Sequence, residues 1–140
     1  MNESVRDVMT PALCTLSPDD TVMMAAQTMR TNDIGDVVVL EDNRLFGILT
    51  DRDIVVRALA EGVDLGTTMV AAICSRDLTT IAPTASTGEA VRLMRDKAIR
   101  RLPVVDERDR VIGIVSLGDV AVQRDRRTAL ADISAAPPNV

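Results

Sequence analysis

Thr50 and Asp53 stand three positions apart, and Ser116 and Asp119 repeat that spacing in a second, similar stretch of chain. In both places an apolar strand-like run gives way to a helical pattern. A hydroxyl at that junction with an acid three residues on makes a capping box, the hydroxyl accepting one backbone N–H and the acid another. The same geometry suits a nucleotide. A helix N-terminus has unsatisfied N–H groups and positive dipole character that attract phosphate. A hydroxyl donates to a phosphate oxygen, and a carboxylate one turn in accepts both hydroxyls of a ribose. The spacing leaves both readings open, because similarity between the halves preserves a cap as readily as a site. Arg100 and Arg101 are the second element. They enter an extended run, where consecutive side chains point to opposite faces. Solvated surface is one reading, phosphate contact through the guanidinium fork the other. Arg52, between Thr50 and Asp53, is placed to reach a phosphate, with a solvated helix position the leading reading; Arg124, Arg126 and Arg127 read as a solvated helix end.

Other chemistry is excluded by composition. The chain has 140 residues, no His, and two Cys, Cys14 and Cys74. His-based metal sites and Ser-His or Cys-His catalysis are out, and two thiols are too few for a disulfide framework or a Cys-only zinc site. The expectation is a cytoplasmic protein with reduced thiols, no catalytic residues and no metal. With 16 basic against 21 acidic residues, net charge −5, the chain lacks the basic field that releases counterions from nucleic acid. Phe46 is its one aromatic residue, so bases find no stacking platform and a planar ligand must lie between aliphatic side chains. No apolar run reaches the ~18–20 residues of a membrane-spanning helix, and the N-terminus is charged rather than signal-like.

The elements that must position these residues also come in pairs. Thr15-Leu16-Ser17-Pro18 matches Thr80-Ile81-Ala82-Pro83 at an offset of 65, and the offset becomes 66 at Gly47 and Gly113. A fixed internal period means two similar units, related here by a pseudo-two-fold, with one residue gained in the second hairpin turn. In the first half, 4–9 is a helical turn, 13–16 is extended, and Ser17-Pro18-Asp19-Asp20 leads into an amphipathic helix over 19–31. Strands at 36–40 and 45–49 make a hairpin around Glu41-Asp42-Asn43. Thr50 then caps a helix that Gly62 ends. The second half repeats this at 79–81, 85–97, 102–105, 110–115 and 117–125, followed by a helical turn at 129–133 and a frayed end. The fold class is α/β (α+β), two β-α-β-β-α units with helices packed on sheets. The expected boundaries are 5–62, a connector 63–72, 73–125, and a tail 126–140.

Together, Asp7-Val8-Met9-Thr10-Pro11, Gly47-Ile48-Leu49-Thr50-Asp51-Arg52-Asp53, Arg100-Arg101-Leu102-Pro103-Val104-Val105-Asp106 and Gly113-Ile114-Val115-Ser116-Leu117-Gly118-Asp119 resemble a tandem pair of cystathionine-β-synthase-type (CBS) domains, a Bateman module. The resemblance covers about residues 5–125 and is to the stand-alone CBS pairs of bacteria and archaea. It implies a non-enzymatic energy or metabolite sensor that needs no cofactor. Its regulatory ligand would be an adenosine nucleotide (AMP, ADP or ATP) held in two clefts between the repeats. In one cleft Asp119 would bind ribose, Ser116 phosphate or ribose, and Arg101 phosphate. Ile34 and Gly35 would lie around the base, and the Thr10 to Thr15 segment, with Cys14, would supply backbone contacts. The other cleft would use Thr50 and Asp53, with Ile99 and Arg100 from the second repeat and Ser75 to Thr80 around the base. The implied partners are a second copy, as a homodimer, and an effector protein, with no nucleic acid and no membrane. The alternatives are a dimeric scaffold with vestigial sites and an S-adenosylmethionine sensor. One position departs from the pattern: Asp36 stands where the second repeat has Arg101. A carboxylate is therefore expected in the Asp53 cleft, disfavouring phosphate there and favouring the Asp119 cleft.

Overall fold

In the computed structural model each half builds one sheet, and each sheet takes a strand segment from the leader of the other half. The structure describes residues 3–12, 14–77 and 79–121. The helix end at 122–125, the turn at 129–133, the three arginines at 124, 126 and 127, and the 126–140 tail lie outside the described residues. The order is α1 (Val5–Val8), β1 (Thr10–Pro11), β2 (Thr15–Leu16), α2 (Val22–Asn32), β3 (Asp36–Glu41), β4 (Arg44–Thr50) and α3 (Asp51–Asp53), which continues as a π-helix over Ile54–Leu59. A 3-10 turn (Val70–Ala72), α4 (Thr87–Lys97), β5 (Arg101–Val105), β6 (Val111–Ser116) and a helix that begins at 117–121 follow. Among the described residues no helix is long and apolar enough to cross a membrane.

The first sheet runs β2-β3-β4, with β2 parallel to β3. Ser75, from the leader of the second half, bridges to Ile48 on its β4 edge. The second sheet runs β1-β6-β5, so Thr10 and Pro11 of the first leader pair with Ile114 and Gly113. On its far edge the strand expected at 79–81 shrinks to a parallel bridge between Ile81 and Val104. The helical turns are exchanged too. Val5 N–H donates to Ala85 O at 2.8 Å and, at the equivalent place, Val70 N–H donates to Asp20 O at 2.7 Å. Val5 and Val70 are fully buried, and each contributes about 1.5–3 kcal/mol by its burial.

Two cores result. One gathers Leu16, Val22, Ala25, Met29, Val37, Val39, Leu49, Ile54 and Ala58, with Val70, Ile73 and Cys74 from the other leader. The second gathers Ile81, Ala90, Met94, Leu102, Val104, Val115 and Val120, with Val5. The 63–72 connector thus carries a buried helical turn that packs on the first core. Burial pushes the Cys74 thiol pKa up, and Arg76 partly opposes the shift.

Local chemistry sets the element ends. The expected start of α2 at Asp19 moves to Val22, because Thr21 accepts the Met24 N–H at 3.1 Å as N-cap. Asp20 instead closes a turn by accepting the Ser17 N–H. The matching α4 starts at Thr87, capped by Ser86 rather than beginning at residue 85. Both helices end on a left-handed residue, Asp33 at φ 54° and Ala98 at φ 55°. The extra residue in the second hairpin is visible as turn geometry. Glu41 pairs with Arg44 across two left-handed residues, Asp42 and Asn43, the positive-φ pair that a two-residue hairpin turn needs. Asp106 instead receives Arg110 across three residues, with Asp109 left-handed, the three-residue alternative.

Candidate functional site

Both hydroxyl–acid pairs form complete capping boxes at the strand–helix junctions. Thr50 Oγ1 accepts the Asp53 N–H and Asp53 Oδ2 accepts the Thr50 N–H, each at 3.0 Å. Ser116 Oγ and Asp119 Oδ2 make the same two bonds, also at 3.0 Å. The box uses one lone pair of each hydroxyl and one oxygen of each carboxylate. The hydroxyl proton and the second carboxylate oxygen stay available to a ligand, so capping and binding are compatible. Asp53 Oδ1 additionally lies 3.8 Å from Arg57 Nε.

Gly47 and Gly113 sit just upstream for a steric reason. A Cβ on Gly113 would lie 2.7 Å from Met9 Sδ and Thr10 O, and one on Gly47 would collide with Ser75 O. Bare backbone there lets the exchanged leaders pair with β4 and β6. This brings Thr10–Pro11 and Ser75 beside the capped junctions. Beside the Ser75 bridge, Arg76 donates from Nε to Phe46 O at 2.6 Å and stacks 3.5 Å from the Phe46 ring centroid. Asp77 in the same segment accepts the Thr79 hydroxyl and N–H, which hold its carboxyl below the usual range.

Two pockets lie along the junction between the repeats. The smaller, about 150 Å³, is lined by Thr10, Pro11, Ala12, Cys14, Asn32, Ile34, Asp36, Val37 and Val38, with Ile114 from the second repeat. The larger, about 840 Å³, is lined by Arg52, Arg100, Arg101, Ser116, Leu117, Gly118 and Ala121. They are joined by an ion pair with one partner on each, Arg101 Nε donating to Asp36 Oδ2 at 2.8 Å. These two residues are pseudo-symmetry equivalents. Residues related by a two-fold meet only near its axis, so the pair marks that axis.

Of the residues expected in the Asp119 cleft, Thr10, Cys14 and Ile34 line the small pocket, and Ser116 and Arg101 the large one. Asp119 is half-buried one turn behind Ser116. Thr15 is exposed and pairs with Val38 in the sheet. Gly35 accepts the Asp51 N–H at 2.9 Å and lines neither pocket. Of the second set, Thr50 and Asp53 form their box and Ser75 bridges Ile48 two residues before Thr50. Thr80 is exposed beside the Ile81 bridge. Ile99 closes the C-terminus of α4 by donating to Met94 O and packs on the second core.

Two expectations are corrected, those for Arg100 and Asp36. Arg100 stands with Arg101 and Ser116 on one pocket rather than on the opposite face, because β5 begins at Arg101 and strand alternation does not reach Arg100. Arg52, exposed at the helix start as a solvated position would be, lines that pocket as well. Asp36, expected in the Asp53 cleft, lines the Thr10–Cys14 pocket, with its charge met by Arg101.

Comparison with known proteins agrees with this architecture. The family model of the CBS domain matches twice, over residues 5–59 and 70–123. The chain is 43% identical over 121 residues to the CBS domain-containing protein YhcV of Bacillus subtilis, covering 86% of this chain and 85% of that one. It is similar to hypoxic response protein 1 of Mycobacterium tuberculosis, 36% identical with 84% and 82% covered. The crystal structure of hypoxic response protein I with two coordinated zinc ions superposes with a TM-score of 0.73 over 86% of this chain and 98% of that one. This sequence contains no His, and no group of three or more metal-ligating side chains occurs among its described residues. The CBS domain pair of protein MJ0100, crystallised with 5-methylthioadenosine and S-adenosyl-L-methionine, superposes with a TM-score of 0.76 at 25% identity, covering 87% and 99%. Two matched repeats, each completing its sheet and core with the other's leader, make this chain a member of the CBS-domain family, a tandem CBS pair.

Proposed function

We propose that the protein is a non-enzymatic regulatory module that binds adenosine nucleotides between its repeats and signals as a homodimer. The observation that carries this reading is the large pocket beside the capped Ser116–Asp119 junction. It collects three arginines from two repeats, and among the described residues only Arg101 of the three has a carboxylate partner. Guanidinium forks are matched to phosphate oxygens. The small pocket next to it, with Ile34, Val37, Val38 and Ile114, offers the aliphatic walls a base needs in a chain with one aromatic residue. In this reading the base enters the small pocket, Asp119 Oδ1 takes the ribose, and Ser116 with Arg52, Arg100 and Arg101 takes the phosphates.

One observation favours a second reading, an S-adenosylmethionine-type ligand. Asp36 puts a carboxylate on the small pocket, which attracts a cation and repels phosphate, and the MJ0100 pair holds S-adenosyl-L-methionine. Support for the homodimer comes from α2 and the following helix, where Met23, Met24, Val55, Val56 and Leu59 are 41–61% exposed; apolar side chains clustered this way mark association surfaces. The binding test is isothermal titration calorimetry of AMP, ADP, ATP and S-adenosylmethionine into nucleotide-free protein. Micromolar binding of an adenylate, weakened by Arg100→Gln, supports the first reading. Tighter binding of S-adenosylmethionine, unaffected by that change, supports the second. No heat from any ligand leaves the scaffold alternative.

A further inference from the structure

Resting on the anion-binding reading of the arginine pocket, we infer that Asp36 is a built-in competitor for Arg101, so that a phosphate-bearing ligand must displace an inter-repeat ion pair in order to bind fully. Among the described residues Arg101 is the one arginine of the pocket that also faces a carboxylate, at 2.8 Å. The contact is made through Nε, on the side of the guanidinium, and the side chains are 36% and 27% exposed. It is therefore reachable from the pocket yet shielded enough to matter. A carboxylate and a phosphate oxygen are interchangeable partners for a guanidinium, and they repel each other at contact distance. Among the described residues the pocket thus starts with two arginines that have no carboxylate partner, Arg52 and Arg100, and gains a third only when Asp36 lets go.

The consequence is a coupling between ligand charge and the arrangement of the repeats. Asp36 opens β3 in the first sheet and Arg101 opens β5 in the second, so their contact is a polar tie across the pseudo-two-fold. A ligand that takes Arg101 exchanges this tie for a contact to itself. By linkage, whatever strengthens the tie weakens the ligand by the same factor. A neutral adenosyl ligand leaves the tie intact. The position thereby discriminates between charged and uncharged ligands that share the same base and ribose.

The test titrates two probes, inorganic tripolyphosphate and adenosine, into the wild type, Asp36→Asn, Arg101→Gln and the double variant, with unliganded melting curves as the folding control. Asp36→Asn keeps shape and releases Arg101. It is expected to tighten tripolyphosphate about five-fold, the scale of a partly exposed ion pair, and to leave adenosine unchanged. In the Arg101→Gln background the same substitution is expected to have no effect beyond a small uniform charge term. Tripolyphosphate affinity unchanged or weakened by Asp36→Asn overturns the inference. So does an equal tightening in both backgrounds, which makes Asp36 a generic repulsive charge, and so does absence of tripolyphosphate binding to every variant. Failure of the adenosine titration alone counts against the adenosyl reading and leaves the competition standing.

Discussion

Substituting Asp119 in two ways separates its structural work from its binding work. Its Oδ2 accepts the Ser116 N–H at 3.0 Å in a half-buried position. Asp119→Ala removes that bond and the favourable charge at a helix start, together about 1–2 kcal/mol. For a chain of 140 residues the melting entropy is about 0.3 kcal/mol/K, so the melting temperature should fall by about 3–7 °C. Asp119→Asn keeps an amide oxygen that accepts the same N–H and loses only the charge, about 0.3–1 kcal/mol, so the shift should stay below about 3 °C. For a ribose the order differs. A neutral amide oxygen is a poorer acceptor for two hydroxyls than a carboxylate, a loss of about 1.5–3 kcal/mol, or roughly ten- to hundred-fold in Kd. Circular dichroism melts with calorimetric titration of AMP, ADP and ATP read both quantities. The expected signature is an Asn variant with a near-native melting temperature and affinity weakened at least ten-fold. If the Asn variant binds like the wild type while the Ala variant loses affinity only in step with its stability, the carboxylate is a cap alone and the ribose assignment is wrong.

Further perturbations follow from the exchanged architecture. Gly113→Ala drives a methyl into Thr10 O and Met9 Sδ, 2.7 Å away; overpacking of this kind costs about 1–3 kcal/mol. Urea denaturation should show that loss, and amide exchange should rise at Ala12, which donates to Ile112 O. Unchanged protection there would mean the leader does not dock as described. Ala98→Gly relieves a left-handed alanine at φ 55° and should stabilise the protein by about 0.5–1 kcal/mol in the same denaturation assay; a destabilisation would refute the strain argument. Leu59 is 61% exposed, and Leu59→Glu should convert a dimer to a monomer in sedimentation equilibrium without lowering helix content. A variant that sediments like the wild type would refute this face as the surface of the proposed dimer.

The sequence by itself determined the repeat, the class of fold and that no histidine takes part in its chemistry. Periodicity is a local property. The 65-residue offset, the alternation of strand and helix patterns and the one-residue gain at the second hairpin need no knowledge of what packs on what, and the turns at Asp42-Asn43 and Asp109 bear this out. The capping boxes were equally legible, since a box is closed within four residues. The exchange of leaders was not. Thr10-Pro11 and Ser75 are too short to carry a strand signal, and they are extended because β6 and β4 offer an open edge and a glycine. The site was legible in its residue types and not in its grouping. Which arginines share a pocket depends on where β5 begins and how two sheets meet. The pairing of Asp36 with Arg101 joins positions 65 residues apart that sequence alignment treats as alternatives, one replacing the other. Only the pseudo-two-fold axis, which brings equivalent positions into contact, turns that apparent substitution into an ion pair.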